Sequence, residues 1–103
     1  MRLQNKVIII TGSTTGIGKA IAIKCVAEGA KVVIHGLEEA WGNEVVEQLG
    51  AENAALHIDD LANDGAAERL IDVALREFGK LDAIVNNAAI VASSNLETTD
   101  KAF

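Results

Sequence analysis

Four short apolar runs, separated by segments of helical length, constrain this chain more than any other feature. Lys6 to Thr11 contains Val7-Ile8-Ile9-Ile10, Lys31 to His35 contains Val32-Val33-Ile34, Asn53 to Ile58 is weaker, and Leu81 to Asn86 contains Ile84-Val85. β-Branched side chains are stiff in a helix and pack well on a pleated surface, so these runs read as strands. The first has no polar alternation, which predicts burial on both faces. Between the runs the apolar spacing changes. Gly16 to Glu28 sets Ile17, Ala20, Ile21, Lys24 and Cys25 at helical steps, and Glu38 to Leu49 sets Trp41, Val45, Val46 and Leu49 on one stripe. A third helix, capped by Asp64, is expected to run to Phe78 with Ala67, Leu70, Ile71, Ala74, Leu75 and Phe78 inward. Gly29, Gly50 and Gly79 follow the three helices, where a left-handed cap favours glycine. Strands joined through helices must run parallel with right-handed crossovers. The expectation is an α/β fold: a doubly wound parallel sheet, strand order 3-2-1-4, with helices on both faces.

A chain of 103 residues makes one domain, and half of these residues are apolar with no proline, which excludes a disordered or collagen-like class. A net charge of −6 argues against nucleic acid and anionic membranes as partners. The apolar runs are too short to span a bilayer, and Thr11 and Gly12 end the first one short of a signal-peptide core. Cys25, the single cysteine, reads as a buried structural thiol. A cytoplasmic location is expected.

The first strand leads into Thr11-Gly12-Ser13-Thr14-Thr15-Gly16-Ile17-Gly18. Gly12 supplies backbone angles for a sharp strand-to-helix turn that a side chain would resist. Phosphate binding needs backbone N–H groups aimed at an anion at the positive end of a helix dipole, with no Cβ in the way. Gly16 and Gly18 suit that approach and the packing of helix on strand, while Ser13, Thr14 and Thr15 add hydroxyl donors beside a pyrophosphate. The spacing is Gly-x-x-x-Gly-x-Gly rather than the more general Gly-x-Gly-x-x-Gly.

These residues resemble the Thr-Gly-x-x-x-Gly-x-Gly of the short-chain dehydrogenase/reductase family, and the resemblance spans essentially the whole chain, as the N-terminal part of a longer family domain. It implies a Rossmann-like nucleotide-binding domain over residues 1–103, with Gly12 to Gly18 on the cofactor. Asp60-Leu61 looks like the family's Asp-hydrophobic pair, which implies that Asp60 bonds the adenine amino group and Leu61 covers the ring. Asn86-Asn87-Ala88-Ala89 is similar to Asn-Asn-Ala-Gly, a turn that lines the adenosine ribose and braces the sheet; Ala89 replaces its glycine.

The end of the second strand selects the cofactor: an acid there bonds the ribose diol of NAD, and a nearby Arg pairs with the 2′-phosphate of NADP. Gly36 stands at the acid position and Leu37 at the Arg position, so neither selector is present. No Arg or Lys occurs between Lys31 and Arg69, and Glu38 and Glu39 follow, which favours NAD over NADP. Glu38 could accept from the diol or could simply suit the helix dipole.

The family's hydride chemistry depends on Tyr-x-x-x-Lys with a Ser and an Asn. This chain contains no tyrosine. Ser93 and Ser94 precede the segment that holds the family's Ser, and Glu97 stands four residues before Lys101 where a Tyr would be needed. His57-Ile58-Asp59-Asp60 places only His57 and Asp59 on one strand face, too few ligands for a catalytic metal. His35 and His57 have no serine placed to form a triad. Trp41 reads as core or a partner contact.

Three readings stand: part of an oxidoreductase acting on an alcohol or ketone, a nucleotide-binding module without hydride chemistry, or a structural or regulatory partner of full-length relatives. Thr98 to Phe103 reads as a helix start cut short, so the chain is expected to be truncated and inactive as a dehydrogenase by itself. Leu81, Ile84 and Val85 would then lie on an uncovered edge strand, which predicts a homo-oligomer joined there.

Overall fold

The computed structural model describes residues 2–87. Ala88, Ala89, Ser93, Ser94, Lys101 and the helix start expected at Thr98 to Phe103 lie outside the described residues. The elements are β1 (Val7–Ile10), α1 (Gly16–Ala27), β2 (Lys31–Gly36), α2 (Glu39–Leu49), β3 (Ala54–Ile58), α3 (Ala66–Phe78) and β4 (Ala83–Val85). They form a parallel sheet in the order β3-β2-β1-β4, as the alternation requires.

Successive residues of β1 point to opposite faces, and each face has its own core. Ile8 and Ile10 join Ala22 and Cys25 of α1, Val32 and Ile34 of β2 and Val45 of α2. Val7 and Ile9 join Val33 and the Leu70, Val73 and Ala74 face of α3. Helices therefore cover both faces, and the unbroken apolar run in β1 follows from having no solvent side. Cys25 is buried, and burial pushes its thiol pKa upward, as suits a structural rather than a reactive sulfur.

β4 is shorter than the predicted Leu81 to Asn86 because the residues at its ends make other contacts. The Asp82 carboxylate accepts the Val7 N–H at 2.8 Å, and Asn86 meets Thr11. That hydrogen bond, with Lys80 at 3.1 Å as a second cause, holds the Asp82 carboxyl below its ordinary pKa.

The inward helix faces differ from the predicted stripes. On α1 the buried residues are Gly18, Ala22 and Cys25, while Ile17 is 73 % exposed and Ala20 and Lys24 face solvent. On α3, Ala66, Leu70, Val73 and Ala74 are buried, whereas Ala67 and Leu75 are exposed. On α1 small residues let the helix lie close to the sheet, so its closest face is not the one with the largest side chains; on α3 Leu70 and Ala74 are buried and Ile71 and Phe78 pack against the core, as the predicted stripe had them. Asp64 does not cap α3. Gly65 is the cap, in a left-handed conformation at φ 79°, and the Asp64 carbonyl accepts from Arg69 instead. Trp41 is not core either, being 51 % exposed at the start of α2.

Candidate functional site

Parallel strands deliver their C-terminal ends to one edge of the sheet, and the order β3-β2-β1-β4 reverses direction beside β1. Such an edge is where open α/β sheets bind ligands. The chain leaves β1 through Thr11 and turns at Gly12, φ 61°, and again at Gly16, φ 58°, before α1 begins. Both angles lie in the left-handed region, so glycine is required at each for backbone reasons. A Cβ at Gly16 would meet nothing within 4 Å, so open space lies above the turn there. Gly18 has the opposite role. A Cβ there would collide with the Gly12 carbonyl and stand 2.7 Å from Asn87 Nδ2, so its absence lets helix and turn close together.

The three hydroxyl residues of the turn divide their roles. Ser13 is fully buried; its hydroxyl donates to the Ile10 carbonyl at 2.7 Å and accepts the His35 N–H at 2.9 Å. Its proton is already used, so the expectation that Ser13 faces a pyrophosphate is corrected: it braces the turn from below. Thr14 packs its side chain where a Cβ of Gly36 would be. Thr15 is the N-cap of α1 with no side-chain cap bond, which leaves the first N–H groups of the helix to an external partner.

A cleft of about 670 Å³ opens over this turn. Gly12, Thr14 and Thr15 form one wall, and Gly36 and Leu37 form the floor beyond β2. Asp60 and Leu61 close the far side. Seven predicted residues thus meet in one cavity. Ser13, Gly16, Ile17, Gly18 and Asn87 do not line it; Gly16 and Gly18 shape the turn beside it, and Ile17 projects outward. Asn87 is 7 % exposed and donates from Nδ2 to the Gly12 carbonyl at 3.0 Å, tying the end of β4 to the turn. Asp60 accepts the Ala62 N–H at 2.9 Å, which fixes the loop after β3.

The cleft also contains His35, Trp41 and Ala62, which the sequence reading did not place there, together with Glu38, weighed above as a diol acceptor, and Asn86 of the Asn-Asn-Ala-Ala turn. For Trp41 the usable signal was its position one turn after Leu37, with both exposed: Leu37 is 68 % and Leu61 37 % exposed, so three large apolar groups rim one cavity. That rim suits a flat aromatic ligand. Among the described residues the lining includes the acids Glu38 and Asp60 and no Lys or Arg.

His57 and Asp59 do share a face, with Nε2 2.9 Å from the carboxylate, but Arg69 completes the group from α3 at 2.7 Å. Arg69 first, and His57 second, hold the Asp59 carboxyl far below its ordinary pKa. Among the described residues no group of three or more His, Cys, Asp or Glu side chains is placed to hold a metal, and no helix is long and apolar enough to cross a membrane.

Comparison with known proteins agrees with this geometry. The short chain dehydrogenase family matches residues 6–103. An uncharacterized oxidoreductase of Thermotoga maritima is 42 % identical over 98 % of this chain and 40 % of its own length. An NADP-dependent (R)-specific alcohol dehydrogenase of Lentilactobacillus kefiri is 41 % identical over 95 % of the chain and 39 % of its own length. Among solved structures, apo glucose dehydrogenase of Caenorhabditis elegans superposes with a TM-score of 0.79 at 37 % identity, covering 84 % of this chain and 39 % of that one. The chain thus spans about two fifths of the length of the curated relatives it matches. With the glycine turn, the strand order and the matched residues in agreement, the chain belongs to the short chain dehydrogenase family.

Proposed function

We propose that this chain binds a nicotinamide dinucleotide, NAD in preference to NADP, across the ends of β1 and β2. The whole protein would serve hydride transfer between that cofactor and an alcohol or carbonyl substrate. The observation that carries the reading is the cleft itself, which opens over the Gly12 turn that leads into α1. The bound cofactor would supply the hydride acceptor or donor. In this reading the N–H groups of Gly16, Ile17 and Gly18 and the Thr15 hydroxyl hold the pyrophosphate, aided by the helix dipole. Leu37, Trp41 and Leu61 sandwich the adenine and exclude water, and Asp60 accepts from its amino group. Glu38 is within the cleft to accept from the ribose diol. Asn87 supports the turn from outside the cleft through its bond to the Gly12 carbonyl. The tyrosine on which proton transfer depends in the family is not among these 103 residues.

NAD is preferred because, among the described residues, a 2′-phosphate would meet carboxylates and no cation in the cleft. The relative from Lentilactobacillus kefiri is NADP-dependent, so the preference rests on this chain's own lining. Calorimetric titration is expected to show NAD⁺ binding about tenfold more tightly than NADP⁺. Leu37→Arg should reverse the order, since one charge-assisted bond contributes about 1.5–3 kcal/mol. Absence of saturable binding to either cofactor would refute the reading.

Self-association through β4 is a second reading, favoured by Ile84, which is 52 % exposed on that edge strand. Sedimentation should then show a dimer that Ile84→Lys dissociates; a monomer at high concentration with a cooperative melt would remove it.

A further inference from the structure

One imidazole joins the two halves of the cleft. His35 lies at the C-terminal end of β2 and is 3 % exposed. Its Nδ1 accepts the Gly12 N–H at 2.9 Å, and its Nε2 lies 2.8 Å from the Asp59 carbonyl oxygen. A carbonyl oxygen can only accept, so Nε2 carries the proton and Nδ1 presents its lone pair to Gly12. The backbone adds two more ties: the His35 N–H donates to Ser13 Oγ at 2.9 Å, and the His35 carbonyl accepts the Ser13 N–H at 2.8 Å. Asp59 directly precedes Asp60 and Leu61. The spacing between the glycine turn and the loop after β3 is therefore set through this ring.

We propose that His35 is a positioning residue whose neutral imidazole holds the Gly12 turn and the Asp59–Asp60 loop in the arrangement that binds the dinucleotide, so that protonating it releases the turn and weakens binding. The ligand half of this statement rests on the dinucleotide reading above; the coupling of ring to turn does not.

Protonation places an N–H on Nδ1, directly against the N–H of Gly12. Two donors then face each other in a buried site, the Gly12 bond is lost, and neither group has the acceptor it needs. The ionisable groups around the ring are His57, Asp59 and Asp60 from β3 and the loop after it, and Glu38 between β2 and α2. Thr11 to Gly18 contributes none. Burial lowers the pKa of His35 from its ordinary value and His57 lowers it further, against the raising effect of the Asp59 carbonyl and of Asp59 and Asp60. Since the folded state favours the neutral ring, its contribution is present above the ordinary imidazole range and lost as the pH falls below it.

The test uses the 103-residue chain carrying His57→Asn, which leaves His35 as its single histidine. Nuclear magnetic resonance from pH 8 to pH 5 should show the Gly12 amide moving with the His35 ring at the same midpoint. Calorimetry with NAD⁺ should show affinity falling by about tenfold as that ring protonates. Adding His35→Asn, whose side-chain oxygen can stand near the Nδ1 position without titrating, should restore binding at low pH and flatten the profile. A Gly12 amide that stays still while the ring titrates would overturn the proposal. So would an affinity that rises on acidification, the result expected if a charged ring simply attracts the pyrophosphate. If His35→Asn does not fold, the Gly12 resonance of the parent decides. If NAD⁺ fails to bind at pH 8, the dinucleotide reading falls, and the ring–turn coupling is still judged by that resonance.

Discussion

Gly18→Val is expected to abolish measurable NAD⁺ binding and to destabilise the fold by about 3 kcal/mol. The cause is crowding against backbone. A Cβ at this first-turn position collides with the Gly12 carbonyl and stands 2.7 Å from Asn87 Nδ2, which itself donates to that carbonyl. No rotamer of a neighbour relieves a clash with a main-chain oxygen. Either α1 must lift from β1, or the turn must flatten and lose the Asn87 bond. Both movements displace the N–H groups proposed to hold the pyrophosphate, so stability and binding should fall together. Urea unfolding and calorimetry of the variant check this; wild-type values in both would mean that α1 is not seated as the structure places it.

Ile10→Ala should remove about 3 kcal/mol, within the 2–5 kcal/mol typical of deleting a large buried aliphatic side chain. Ile10 is fully buried, pairs in register with Ile34 and Val85, and packs among the α1 and α2 residues. Its carbonyl also receives the Ser13 hydroxyl, so the cavity would open directly beneath the glycine turn. Against a typical total of about 5–15 kcal/mol, this is a large fraction. The urea midpoint should drop while the slope stays the same. A loss under about 1 kcal/mol would show that the site collapses around the smaller residue.

The sheet was legible from the sequence because runs such as Val7-Ile8-Ile9-Ile10 have one good use, a strand covered on both sides. The glycine turn was legible because Gly12 and Gly16 meet a backbone demand that other residues meet poorly. Helix orientation was harder to read. A search for large apolar residues at helical steps selects Ile17 and Leu75, both exposed, and passes over Gly18 and Ala22, which lie against the sheet because they are small. The same preference for bulk offered Trp41 as core or a partner contact, and it is 51 % exposed on the rim of the cleft. His35 and Ser13 escaped for a different reason. Apart from the Ile10 carbonyl that takes the Ser13 hydroxyl, their partners are groups 22 to 24 residues away that only the fold brings close, and no local motif records such a bond.

The contacts that close the turn against β4 carry a further consequence, for the order in which the molecule assembles. Gly12 meets Asn87, and Val7 meets Asp82, across 75 residues of chain, whereas Gly12 meets His35 across 23. Closing the longer loop costs about 1 kcal/mol more in chain entropy, and only three residue pairs repay it in the ladder between β1 and β4. The strand that braces the ligand turn is therefore expected to dock last and detach first. Anything bound across that turn draws on the docked form alone and shifts the balance toward it. Occupancy of the cleft and retention of β4 would then be a single equilibrium, legible in the exchange rates of the amides at the edge of the sheet.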